Sequence, residues 1–184
     1  MAACEILSYF FDGEELFNAE GIFDLRAEYA ALHINLARMA EERGCILALS
    51  IDPHTPRFFV GDPVPFRELL IALVDRCFDN AGVDIVNVRL GSIGTSATGR
   101  HHLEITVATN GISMPPRQME LFDLRPKHPK VRSSWGQEDP NALFRINNLI
   151  NRFNGSLRID DVYGWGPRYV ARLQLTKLAA GTRA

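Results

Sequence analysis

The strand-like segments of this chain come in neighbouring pairs with helical segments between them. That order restricts the fold more than any other feature. "GIFDL" (21–25) reads as a short strand. A helix fits 25–43, because Leu25, Tyr29, Leu32, Leu36 and Met39 recur at spacings of three and four. Asp24 can cap its start and Gly44 can end it. "CILALSID" (45–52) predicts a buried strand and "RFFVGD" (57–62) a short one. The next helix runs from Pro63 to about Asn80, with Asp62 as N-cap and Pro63 in its first turn. Phe66, Leu69, Leu70, Leu73 and Cys77 form its apolar side.

The second half repeats the pairing. "VDIVNVRL" (83–90) and "HLEITVAT" (102–109) flank "GSIGTSATGR", whose Gly, Ser and Thr content marks a hairpin loop. "PPRQMELFD" (115–123) suggests a short helix, and 124–138 lacks periodicity and reads as a loop. A helix capped by Asp139, with Pro140 at its first position, presents Leu143, Ile146, Ile150 and Phe153 on one face. "SLRIDDVY" and "RYVARLQL" close the chain as two strands joined by "GWG". Strands adjacent in sequence can pair antiparallel and leave the helices on one face. The fold class expected is an α/β sandwich, an α+β arrangement with a mixed, largely antiparallel sheet.

With 184 residues, 46% of them hydrophobic, the chain can bury one domain and is too short for two large ones. A net charge of −2 does not suggest a general nucleic-acid or membrane-surface binder. Cys4, Cys45 and Cys77 form no CxxC pair; Cys45 and Cys77 lie in apolar stretches and read as reduced core thiols of a cytosolic protein. No apolar run approaches the ~18 residues of a membrane span, and the start does not read as a signal peptide. The His101-His102 pair has no third ligand at a sensible spacing, so no metal site is expected. His33 reads as a structural helix residue and Trp165 as a hairpin-tip aromatic.

Several phrases in this order resemble the ATP-binding catalytic domain of sensor histidine kinases, the Bergerat or GHKL fold. "IFDLRAEYAALHINLARMAEERGCILALSID" is similar to the segment that opens this domain in hybrid kinases. "VGDPVPFRELLIALV" resembles the "GDP-x-R-x-x-x-L-x-N-L" entry to the helix of the ATP site. "NGSLRIDDVYGWGPRYVARLQL" resembles the closing "GG-x-I-x-V-x-S-x-x-G-x-G-S-x-F-x-x-x-L-P" hairpin. The resemblance implies residues 1–20 as the tail of a preceding dimerisation helix and linker, 21–178 as the ATPase-like domain, and 179–184 as a C-terminal tail.

The same resemblance locates the nucleotide positions. The family's metal-binding Asn follows the Asp of the "GD" turn by fourteen positions, which leads from Asp62 to Arg76. The first Asn of "N-L-L-x-N-A" falls on Ala72. The Asn80-Ala81 echo comes one turn late: Ala72, Arg76 and Asn80 share one helix face, with Asn80 roughly 6 Å beyond Arg76. In "D-x-G-x-G-I", matched by "TNGISM", Thr109 replaces the adenine-binding Asp, Gly111 remains, and Ser113 replaces the second Gly. A charge-assisted bond is worth about 1.5–3 kcal/mol, so its loss implies roughly ten- to a hundred-fold weaker adenine binding. "G-x-G-L-G-L" falls on "EDPNAL" (138–143), without a glycine and with two acids where phosphate oxygens would approach a helix N-terminus. "LFD" (121–123) is a remnant of the phenylalanine box before the lid.

These departures imply a degenerate nucleotide domain with no cofactor expected, ATP and magnesium being the doubtful alternative. Its enzyme status stays open, and no catalytic residue is assigned. Partners implied are the dimerisation and phospho-acceptor helices of a parent kinase and a response-regulator receiver domain in a cytoplasmic phosphorelay, with no nucleic acid and no membrane insertion. Arg125, Lys127, Lys130 and Arg132, with His128, form a basic loop that is a candidate for a phosphate or an acidic partner, against a solvated loop. In the alternative reading, Arg76 and this loop hold phosphates in place of the metal; in the plainer one, Arg76 pairs with Asp75, Asp79 or another acid.

Overall fold

The computed structural model describes residues 21–78, 82–112, 140–162 and 166–178. Among these, three helices lie on one side of a seven-stranded sheet. The elements in chain order are β1 (Ile22–Asp24), α1 (Leu25–Glu42), β2 (Ile46–Ile51), β3 (Phe58–Val60), α2 (Val64–Phe78), β4 (Ile85–Thr95), β5 (Arg100–Thr109), α3 (Pro140–Arg152), β6 (Ser156–Val162) and β7 (Gly166–Lys177). The path across the sheet is β1-β3-β7-β5-β4-β2, and β6 pairs with β7 beside β3.

Local chemistry explains the helix ends. The Asp24 carboxylate accepts from the backbone N–H groups of Arg26 (2.9 Å) and Ala27 (3.2 Å), satisfying two of the donors a helix start leaves open. Arg57 holds the other oxygen of Asp24 at 2.7 Å. Asp62 accepts from Val64 N–H at 2.8 Å, and the first bond of α2 runs from Arg67 N–H to the Pro63 carbonyl. Gly44, past the end of α1, has φ +67, a conformation glycine adopts without steric cost.

The core lies between the helices and the inner face of the sheet. Leu25, Leu36, Phe66, Leu69, Leu70 and Leu73 from the helices meet Val86, Val88, Leu90, Leu103, Ile105 and Leu173 from the strands, all fully buried. Burial alternates with every residue on β5 and on β4 as far as Leu90, as a sheet covered on one face requires. The Tyr29 hydroxyl pins α1 to the sheet, lying 3.1 Å from the carbonyls of both Ser50 and Val88; burial raises its pKa well above the ordinary tyrosine value.

Four expectations need correction. β2 does not pair with β3, its neighbour in sequence. It runs parallel to β4, a connection that needs a long crossover, here β3 and α2. β2 is also half exposed rather than buried, because it ends the sheet path and its outer face carries no helix: Ile46 is 66% exposed. Cys45 just before it is only partly buried, with its thiol 3.1 Å from the Val83 carbonyl, whereas Cys77 is fully buried. Finally, most of "GSIGTSATGR" is strand. β4 extends to Thr95 and β5 begins at Arg100; the glycine at 94 (φ +110) serves a β-bulge, where the register shifts between Ser92 and Gly94.

Candidate functional site

The candidate residues lie on α2 and at the C-terminal end of β5. α2 turns Leu69, Leu70, Leu73, Val74 and Cys77 completely inward. Ala72 is half-buried on this helix, and Arg76, one turn on, is 5% exposed. Arg76 lies in the last turn of α2, where a cation complements the unsatisfied carbonyls. Asp75, one of the acids considered as its partner, is held by Arg43 from the end of α1 at 2.8 Å, and the Arg43 guanidinium also lies over the Phe78 ring.

At the other end of the site, Thr109 is buried and its hydroxyl donates to the carbonyl of Pro167 at 3.3 Å. The Thr109 side chain, expected from the sequence at the adenine-binding position, therefore spends its proton inside the sheet. Gly111 lies against the first residue of β7. A Cβ on Gly166 would sit 2.6 Å from the Gly111 oxygen and 2.9 Å from its nitrogen, and Gly166 itself has φ +75. Only glycine meets both conditions. Against the closing hairpin pattern quoted above, Pro167 takes the Ser position and Tyr169, fully buried, takes the Phe position.

Asn110 escaped the sequence reading. Its carboxamide oxygen accepts from the N–H groups of Asp84 and Ile85, each at 2.9 Å, and clamps the end of β5 to the entry of β4. The available signal was an Asn-Gly pair at a strand end, a position where Asn side chains bond nearby backbone. His101 and His102 are consecutive on a strand and point to opposite faces, so they cannot converge on one ion. Among the described residues no group of three or more His, Cys, Asp or Glu side chains could hold a metal. His33 lies on the exposed side of α1.

Thus the structure brings Thr109, Gly111, Gly166 and Pro167 together at one end of the β5–β7 pair, while Ala72 and Arg76 lie one turn apart on α2. Asp79, Asn80, Ser113, Arg125, Lys127, His128, Lys130, Arg132, Asp139 and Trp165 lie outside the described residues, as does the helix expected at 115–123.

No protein-family model matches the sequence, and a search of curated proteins finds no match. Solved structures do match. A structure of the mycobacterial sensor histidine kinase MprB aligns with a TM-score of 0.59 at 18% identity, covering 86% of this chain and 99% of that one. The catalytic domain of histidine kinase ThkA, in a nucleotide-free form, aligns with a TM-score of 0.62 at 12% identity, covering 83% of this chain and 93% of that one. Full-length ShkA, solved in complex with AMPPNP, aligns with a TM-score of 0.64 at 16% identity over 88% of this chain and 32% of its own.

The chain has the fold of a histidine-kinase catalytic domain. In that fold, the layout expected from the sequence holds: an open, mostly antiparallel sheet with its helices on one face. No described helix of this histidine-kinase-like domain is long and apolar enough to cross a membrane.

Proposed function

We propose that this is a degenerate catalytic domain of a two-component sensor histidine kinase, of the hybrid type. It binds ATP weakly or not at all, and acts in phosphorelay signalling by docking on the dimerisation and phospho-acceptor helices of its parent kinase or on a receiver domain. One observation carries the reading: Arg76, which the motif spacing puts where an Asn would hold the magnesium ion, is a buried arginine. A guanidinium has no lone pair to offer a metal and repels it. Ala72, with no polar side chain, replaces the other Asn, and the Thr109 hydroxyl is engaged by Pro167. On this reading the side chains present do not suit a metal-bound nucleotide, so no step of phosphoryl transfer is derived through one.

Isothermal titration of the full chain with ATP and with ADP, each with and without magnesium, tests this. Absence of heat at nucleotide concentrations that saturate an active kinase domain is the expected result. Micromolar, magnesium-dependent binding overturns it. In that event Arg76→Ala would reveal whether the guanidinium holds phosphate, through a sharp loss of affinity.

A further inference from the structure

Away from the candidate nucleotide site, β5 carries a second buried polar residue at its other end. His101 points toward the helix side of the sheet and is 5% exposed. Its Nε2 lies 3.0 Å from the Ser92 hydroxyl and its Nδ1 lies 3.3 Å from the Thr95 hydroxyl. Its ring packs against Phe59 of β3, with centroids 5.6 Å apart. Ser92 and Thr95 straddle the bulge of β4, where the register shifts between Ser92 and Gly94. The imidazole thus ties together the two sides of the bulge, Ser92 before it and Thr95 after it.

Ser92 is also shared with the opposite face. Together with Asp52, Arg89, Glu104 and Thr106 it lines a cavity of about 140 Å³ on the side of the sheet that carries no helix. Arg89 reaches toward Asp52, and Arg172 bonds Glu104 at 2.9 Å, so the cavity is edged by ion pairs. Movement of the bulge would reshape this cavity from below.

We propose that His101, with Ser92 and Thr95, is a proton-sensitive latch that holds the β4 bulge and the outer-face cavity in place. The two hydroxyls can pair with either ring form, one donating to the bare nitrogen of the neutral ring or both accepting from the charged one, so they do not choose between them. The surroundings do. Burial opposes a charge on the ring, and the neighbouring positive groups, Lys177 from β7 and His102 from β5, oppose it further; together they lower its pKa below the ordinary value. β3 brings the Phe59 ring and β4 brings the hydroxyls; Arg100, next in sequence, bonds Thr176. A folded pKa below the unfolded one means that the folded chain binds fewer protons. The stabilisation is complete above the ordinary imidazole value of about 6.5 and is lost as pH falls below it.

Hydrogen exchange of the full chain at about pH 7.5 and about pH 5.5, on either side of that value and corrected for intrinsic rates, tests the latch. In the native sequence, amides of 90–103 should lose protection severalfold at the lower pH while α1 and α2 keep theirs. His101→Gln, which cannot take up the proton, should show the same protection at both pH values. Lys177→Gln, which removes one opposing charge and leaves the ring in place, should show a smaller loss than the native sequence. Equal protection of native 90–103 at both pH values, or an undiminished loss in either variant, overturns the proposal.

Discussion

The two ends of β5 each bury a polar side chain, and they do so in different ways. At the Arg100 end, His101 is held by two side-chain hydroxyls and an aromatic ring, next to a bulge. At the Thr109 end, Thr109 and Gly111 are held by the backbone of β7, and Asn110 by the backbone of β4. A ring that titrates makes the first end responsive to pH. Carbonyls and N–H groups do not titrate, so the second end is indifferent to it. At the Thr109 end the side chains of Thr109 and Asn110 are thus both engaged by backbone groups of the chain.

The comparison can be broken most severely at Gly166. A methyl group there collides with Gly111 backbone and must adopt φ +75. Gly166→Ala should cost about 3 kcal/mol, the sum expected for overpacking and a left-handed backbone, read as a large fall in the chemical-denaturation midpoint. A change under about 0.5 kcal/mol, the scale of ordinary surface substitutions, would show that the two glycine backbones do not meet in solution.

Asn110→Ala comes next. It removes the acceptor for two N–H groups at a position water can reach, so a loss of roughly 1–2 kcal/mol is expected by the same measurement. Hydrogen exchange at Asp84 and Ile85 should rise with it. The smallest effect belongs to Thr109→Val. The shape is kept and one hydrogen bond to Pro167 is lost, about 1 kcal/mol, and nucleotide titrations should be the same as for the native sequence. A measurable drop in ADP affinity in this variant would mean that Thr109 faces ligand and not the sheet. Both substitutions should have the same effect above and below pH 6.5, the ordinary imidazole value, unlike His101→Gln at the other end.

Much of this architecture was legible in the residues. The apolar rows of α1 and α2 were named from their spacing, and Leu25, Leu32, Leu36, Phe66, Leu69, Leu70, Leu73 and Cys77 are all buried. Asp24 and Asp62 cap the helices they precede. The closing hairpin forms between the two runs identified for it. These features are local: a helix face or a cap depends on residues within a turn of one another, so spacing alone reveals it.

What spacing could not reveal depended on partners far along the chain. The parallel pairing of β2 with β4 joins Ile46 to Ile85 across a crossover, and nothing within either strand names the other. The Gly-Ser-Thr stretch after Leu90 has the composition of a loop, yet it is drawn into strand by Leu103 and the histidines opposite it, with a bulge absorbing the misfit. In the candidate site Thr109 could be singled out from the sequence, but the fate of its hydroxyl could not, since Pro167 lies 58 residues away. The sequence by itself determined where the helices lie and which face of α1 and α2 turns inward, because those follow from local periodicity and capping. The tertiary structure alone decided which strands meet and where the polar side-chain atoms of Tyr29, His101, Thr109 and Asn110 find partners, because a hydrogen bond needs two groups within about 3 Å and only the folded sheet brings them there.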